Sequence, residues 1–126
     1  MGDTIVYSGA VVDLDEAEAS LAGHPAVASV AAVGINDVFT GDGLHLFVVV
    51  ADGVNESYDL RKELLSAVVD ATGYPRPRGL KFTDALPTHD GVRARWAISQ
   101  AANGTAVADI DQLDDQAALD AIRAAR

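Results

Sequence analysis

The side chains best equipped for chemistry crowd into one stretch, Thr88-His89-Asp90-Gly91-Val92-Arg93-Ala94-Arg95-Trp96. An imidazole titrates near neutral pH and a neighbouring carboxylate can orient it, so His89 and Asp90 are candidates for general acid–base work. Arg93 completes that candidate catalytic set with a guanidinium fork suited to a carboxylate or phosphate. Arg95 and Trp96 pair a second fork with a large aromatic face, a combination that can bind an anionic or planar ligand or a partner's surface. The competing readings are structural: an ordinary polar loop for 88–92, and a solvated arginine face with Trp96 anchoring the next helix. His24 reads as a helix-end residue, and His45 alternates with Leu44 and Leu46, so it faces away from them. Three scattered histidines without any cysteine give no metal-ligand spacing. No glycine-rich phosphate loop or serine nucleophile elbow is present, so neither a metal nor a bound cofactor is expected.

These residues need elements to position them. Ile5-Val6-Tyr7 running into Ser8-Gly9 reads as a short strand and turn, the start of a hairpin-like segment. Asp13 before Leu14, with Asp15, Glu16 and Glu18 following, marks a helix start, and Gly23 and Pro25 stop it. Val27 to Ile35 and Leu44 to Ala51 read as strands joined across Asp37-Val38-Phe39-Thr40-Gly41-Asp42-Gly43. Leu60, Leu64, Leu65 and Val68 share one face of a helix from Ser57 or Tyr58 to Ala71. Leu80-Lys81-Phe82 is a further strand, 88–92 a loop, and Arg95 to Ala102 a helix. Asp109, Asp111, Asp114 and Asp115 crowd the start of a final helix carrying Ile110, Leu113, Ala117, Ala121 and Ile122. The sum is an α+β sandwich: a small, mostly three-stranded sheet packed by about three helices, plus an acidic C-terminal helix.

Composition narrows the partners. With 126 residues the chain suits one compact unit, and 49% hydrophobic residues argue for a folded globule over disorder. Nine basic residues face nineteen acidic ones, a surface that repels nucleic-acid backbones and anionic lipid. No apolar run reaches membrane-span length, and Met1-Gly2-Asp3 does not open a signal peptide, so a cytoplasmic protein is expected.

The order of these words resembles a known family. Ile5-Val6-Tyr7-Ser8-Gly9 with Asp15-Glu16-Ala17-Glu18 is similar to the Ile-Lys-x-x-Gly-x-Arg-Ile and Glu-rich segment of acyl-CoA synthetases and peptide-synthetase adenylation domains. His24-Pro25-Ala26-Val27, Ala32-Val33-Gly34-Ile35-Asn36-Asp37, Gly41-Asp42, and Tyr74-Pro75-Arg76-Pro77-Arg78 with Phe82-Thr83-Asp84-Ala85-Leu86-Pro87 follow in register. The chain therefore looks like the C-terminal lid of an adenylate-forming enzyme over residues 1–103, with 104–126 an additional helical tail of the same compact unit.

What the resemblance implies is a lid that swings between two poses. One brings a lysine of the Leu-Pro-x-Thr-x-x-Gly-Lys loop onto the α-phosphate for adenylation; the other brings the segment around Gly9 toward a pantetheine thiol. Gly9 is on that ground a candidate binding residue. The loop here reads Leu86-Pro87-Thr88-His89-Asp90-Gly91-Val92-Arg93 and holds no lysine. Aligned on Gly91, Val92 takes the lysine's place; with no gap allowed, Arg93 does. Val6 and Val11 likewise stand where the family has a lysine and an arginine. The expected function is a stand-alone, catalytically degenerate lid that assists a partner in acyl activation or specialised biosynthesis and is not an autonomous ATP-dependent ligase. That partner would be a separate adenylating core, a carrier protein or an acyl-thioester enzyme, or the ligand would be pantetheine-linked or another small molecule. The alternative is a small repurposed enzyme using His89, Asp90 and Arg93.

Overall fold

A computed structural model of the chain describes residues 3–37, 39 and 41–126. Val38 and Thr40, inside the expected strand connection, and Met1 and Gly2 lie outside the described residues.

Strands β1 (Thr4–Tyr7) and β2 (Ala10–Asp13) form a hairpin closed by Ser8 and Gly9, both at positive φ. Helix α1 (Leu14–Ala22) starts on Asp13, whose carboxylate accepts the N–H groups of Asp15 and Glu16 and so meets two of the donors a helix start leaves unpaired. Strands β3 (Val27–Asp37) and β4 (Gly41–Val50) pair antiparallel. Helix α2 (Tyr58–Thr72) is capped by the Ser57 hydroxyl and ends at Gly73, which takes the left-handed conformation. Strand β5 (Gly79–Phe82) then returns parallel to β4, giving the sheet order β3-β4-β5.

Period-two alternation sends successive strand residues to opposite sheet faces, and each face has its own core. Ala32, Leu44, Leu46, Val48, Leu80 and Phe82 pack with Leu14 and Leu21 of α1 and with Leu64 and Val68 of α2. Ala31, Val33 and Phe47 face the other way, onto helices α3 (Arg95–Ala102) and α4 (Ala117–Arg123). Leu113, Leu119 and Ile122 bring the tail into this second core. At the far side of β5, Arg126 exchanges backbone hydrogen bonds with Phe82, at 3.0 and 3.1 Å.

Two expectations require correction. The stretch 88–92 is not an open loop: β6 (Thr88–His89) and β7 (Val92–Arg93) form a second hairpin. Its turn is Asp90-Gly91, both at positive φ, the pairing a two-residue turn between twisted strands requires. The final helix begins at Ala117 and not among the aspartates. Residues 110–112 make one short 3-10 turn, and Leu113 is extended. Of the carboxylates there, Asp114 holds the second hairpin and Asp115 accepts the N–H of Ala117, the first residue of α4.

Leu46 is fully buried at the centre of the first core. Leu46→Ala should lower unfolding free energy by about 3 kcal/mol in urea titration, the usual cost of a core leucine cavity.

Candidate functional site

Glu18 falls on the α1 face that carries Leu14, Ala17 and Leu21, so its carboxylate is carried inward and is only 4% exposed. A buried carboxylate must be paired. Glu18 accepts the Ala32 N–H of β3 at 2.8 Å, binds Arg95 at 2.7 Å, and binds Arg93 at 2.9 Å. Arg95 also reaches Asp15 at 2.7 Å, Asp3 at 2.9 Å and the Ala32 carbonyl at 3.1 Å. Burial alone would lower the Arg95 pKa, but the hydrogen bonds from Glu18, Asp15 and Asp3 outweigh it and drive the value up. The cluster joins α1, β3, β7 and the start of α3, and it forms one wall of a groove of about 920 Å³. Ile5, Val92 and Trp96 supply apolar surface to the same groove.

The hairpin itself is held from the tail. Asp114 accepts the N–H of Asp90 at 3.0 Å, the N–H of Gly91 at 2.9 Å and the Thr88 hydroxyl at 2.8 Å. The Gly91 N–H, followed by the Thr88 hydroxyl, holds the Asp114 pKa below its usual value. His89 donates from Nδ1 to the Gln112 carbonyl at 2.6 Å, and Asp90 lies 3.5 Å from Nε2. The Gln112 carbonyl, then Asp90, raise the His89 pKa.

The candidate residues therefore separate. His89 and Asp90 are neighbours at the exposed tip. His89 pairs with Val92 and Thr88 with Arg93, which sets His89 and Arg93 on opposite faces of the hairpin. Arg93 points to Glu18, Arg95 is held in the interior of the cluster, and Trp96 lines the groove with 37% of its surface exposed. Val92, the residue after Gly91, is 69% exposed. Gly9 lies in the β1–β2 turn with open space around it. Among the described residues no cluster of three or more His, Asp or Glu could hold a metal ion, and no helix is long and apolar enough to cross a membrane.

A second feature was not anticipated. The guanidinium of Arg78 lies 5.4 Å from the Tyr7 ring centre and directly over Gly43, where any Cβ would collide with it. The Tyr7 hydroxyl donates to the Arg76 carbonyl at 2.8 Å. Burial, then the charges of Arg78 and Lys81, lower the His45 pKa, so the imidazole is neutral beside these cations. Among the described residues Arg76, Arg78 and Lys81 form no ion pair, whereas Arg93, Arg95, Arg123 and Arg126 all do. An acidic chain thus carries a basic patch with no ion pair among the described residues, and its Tyr7 end directly precedes the Ser8-Gly9 turn.

Residues 16–90 match the family model described as the AMP-binding enzyme C-terminal domain. The chain belongs to that family. The 3-hydroxypropionyl-coenzyme A synthetase of Sulfurisphaera tokodaii is 36% identical to this C-terminal-type domain over 124 residues, covering 98% of this chain and 19% of the relative. The acetyl-coenzyme A synthetase of Streptomyces coelicolor is 32% identical over 123 residues, 96% of this chain and 19% of the relative. The chain thus spans about a fifth of the length of the curated relatives it matches. Among solved structures, an acyl-CoA synthetase of Brucella canis superposes with a TM-score of 0.68 at 29% identity, over 74% of this chain and 17% of that one. An amide bond synthetase from Marinactinospora thermotolerans gives 0.59 at 31% identity, over 68% and 17%.

Glu18→Ala removes the carboxylate that two arginines and the Ala32 N–H share, and should cost about 3 kcal/mol in denaturant unfolding, against about 1 kcal/mol for Arg93→Ala at its half-exposed site. The raised His89 pKa means its stabilisation is present in full below about pH 6.5 and fades as pH rises through the folded value. The lowered Asp114 pKa means the opposite: its contribution stands above about pH 3.8 and fades as pH falls through the folded value. His89→Ala should accordingly lower Tm by more near pH 5.5 than near pH 9, where the neutral ring still keeps its Nδ1 hydrogen bond to Gln112.

Proposed function

We propose that this chain acts as the closing module of an acyl-CoA-forming ligase, supporting the thioester step without supplying the phosphate-facing cation of the adenylation step. The observation that carries the reading is the fate of the hairpin's charge. Its one arginine, Arg93, is bound to Glu18 at 2.9 Å, and the residue that follows the turn is the exposed, uncharged Val92. A cation already neutralised by a buried carboxylate has little left to offer a phosphate, since its charge-assisted hydrogen bonds are spent inside the domain.

The basic patch supports the other half of the reading. Arg76 and Arg78 meet Tyr7, next to the Gly9 turn, where the relatives' product, a coenzyme A thioester, would present a pantetheine arm and phosphates. Exposed cations that make no ion pair among the described residues suit such an anion, and the rest of the acidic surface repels it. In this role the chain is catalytically degenerate on its own and works with an adenylating core, a carrier protein or an acyl-thioester enzyme. Acyl activation in specialised biosynthesis is the setting it fits.

The test is to add the purified chain to an acyl-CoA synthetase core stripped of its own lid. With preformed acyl adenylate and coenzyme A, thioester formation should accelerate, while ATP–pyrophosphate exchange should not. Accelerated exchange would contradict the reading, as would no effect on either half-reaction. Arg76→Ala with Arg78→Ala should raise the coenzyme A concentration for half-maximal rate by about tenfold, each lost charge-assisted contact counting for a few-fold.

A further inference from the structure

Strand β3 pairs with β4 on one side only, and its other edge runs along the floor of the groove. An open edge presents N–H and C=O groups ready to pair with another chain. On β3 four of those groups are already taken, and by side chains. The Ala32 N–H donates to Glu18 at 2.8 Å, and the Ala32 carbonyl accepts from Arg95 Nε at 3.1 Å. Two residues on, the Gly34 carbonyl accepts from Asn103 Nδ2 at 3.1 Å; the Asn36 N–H donates to Asn103 Oδ1 at 2.8 Å. Residues 32, 34 and 36 are alternate positions, whose backbone groups in an antiparallel pair turn away from the neighbouring strand. The single Asn103 amide therefore gives one donor and one acceptor, as a peptide unit of a fourth strand would. Its hydrogen bond to the Ser99 carbonyl, at 2.7 Å, fixes it to the end of α3.

We propose that Glu18, Arg95 and Asn103 are a side-chain closure of the sheet, and that what they exclude is the β3 strand of a second copy. The strand is suited to pair with itself. Its eleven residues, Val27 to Asp37, are mostly small or β-branched and apolar, and Asp37 is its only charge. Antiparallel pairing about Ile35 would set Gly34 opposite Asn36, matching outward positions to outward positions, so that the Asn36 N–H of each copy meets the Gly34 carbonyl of the other. The opposite edge is closed by a different means, the backbone of Arg126 at Phe82. The closure is independent of any role in thioester formation.

Sedimentation velocity and amide hydrogen exchange on the full chain test this. The wild-type chain should stay monomeric across concentration. Asn103→Ala bares the Gly34 carbonyl and the Asn36 N–H and should self-associate about tenfold more tightly, in keeping with two hydrogen bonds regained per copy. Its Asn36 amide should exchange faster than wild type when dilute and slower when concentrated. Asn103→Asp keeps the acceptor for Asn36 and places like charges across the axis, so it should remain monomeric. Asn103→Ser, too short to reach either group, should repeat the alanine result if alanine unsettles α3. A self-associating wild type would overturn the proposal. So would a folded Asn103→Ala that is monomeric at every concentration, with unchanged exchange at Asn36.

Discussion

One buried carboxylate organises this domain. Glu18 sits where α1, the β3 edge, the second hairpin and the start of α3 meet, and it must be neutralised because water does not reach it. Two arginines from opposite sides of the β7–α3 junction meet that need. Their positions then follow: Arg95 spans to the Asp3 and Asp15 carboxylates, Arg93 pulls β7 against α1, and the Ala32 N–H fixes the strand beneath. Buried ion clusters contribute little net stability compared with apolar packing, but they permit few alternatives, because each misplacement strands a charge. The orientation of the second hairpin is accordingly set from within the domain by Glu18 and from the tail by Asp114.

This arrangement gives the charge pattern a functional sense. Cations that face acids in the interior serve the fold, and those without acids serve what lies outside. By that division Arg93 and Arg95 belong to the scaffold, while Arg76, Arg78 and Lys81 make no ion pair among the described residues and are the cations that the proposed function assigns to a ligand. The family membership supplies the context for such a division, since the matched relatives are coenzyme A synthetases. The second hairpin turns at Asp90-Gly91 between the tail and α1 and has an exposed valine after the turn.

Much of the fold was legible in the residues because it is written locally. Helix α3 was read at its observed limits, and Asp13, Ser57 and Gly73 marked helix ends by capping chemistry alone. The second hairpin was missed because two-residue strands have no periodicity to detect, although Asp90-Gly91 is a strong turn signal. The final helix was placed too early, since crowded aspartates look like a helix start whether their carboxylates cap a helix or grip a hairpin. The site was less legible for a plainer reason: its partners are far apart in sequence, Glu18 from Arg93 and Asp114 from Asp90. A signal for Glu18 did exist, a glutamate on the apolar face of α1. Nothing local distinguishes Arg78, with no ion pair among the described residues, from Arg95, which has three.

The claim that most needs measuring is that Arg93 is committed to Glu18. Nitrogen-detected NMR of the arginine side chains reads this directly, with Arg76 as an internal reference for a free guanidinium. The account predicts slowed Cζ–Nε rotation and resolved Nη resonances for Arg93, lost on Glu18→Gln, beside averaged signals for Arg76. An Arg93 guanidinium that averages as freely as Arg76 in the wild-type chain would contradict it.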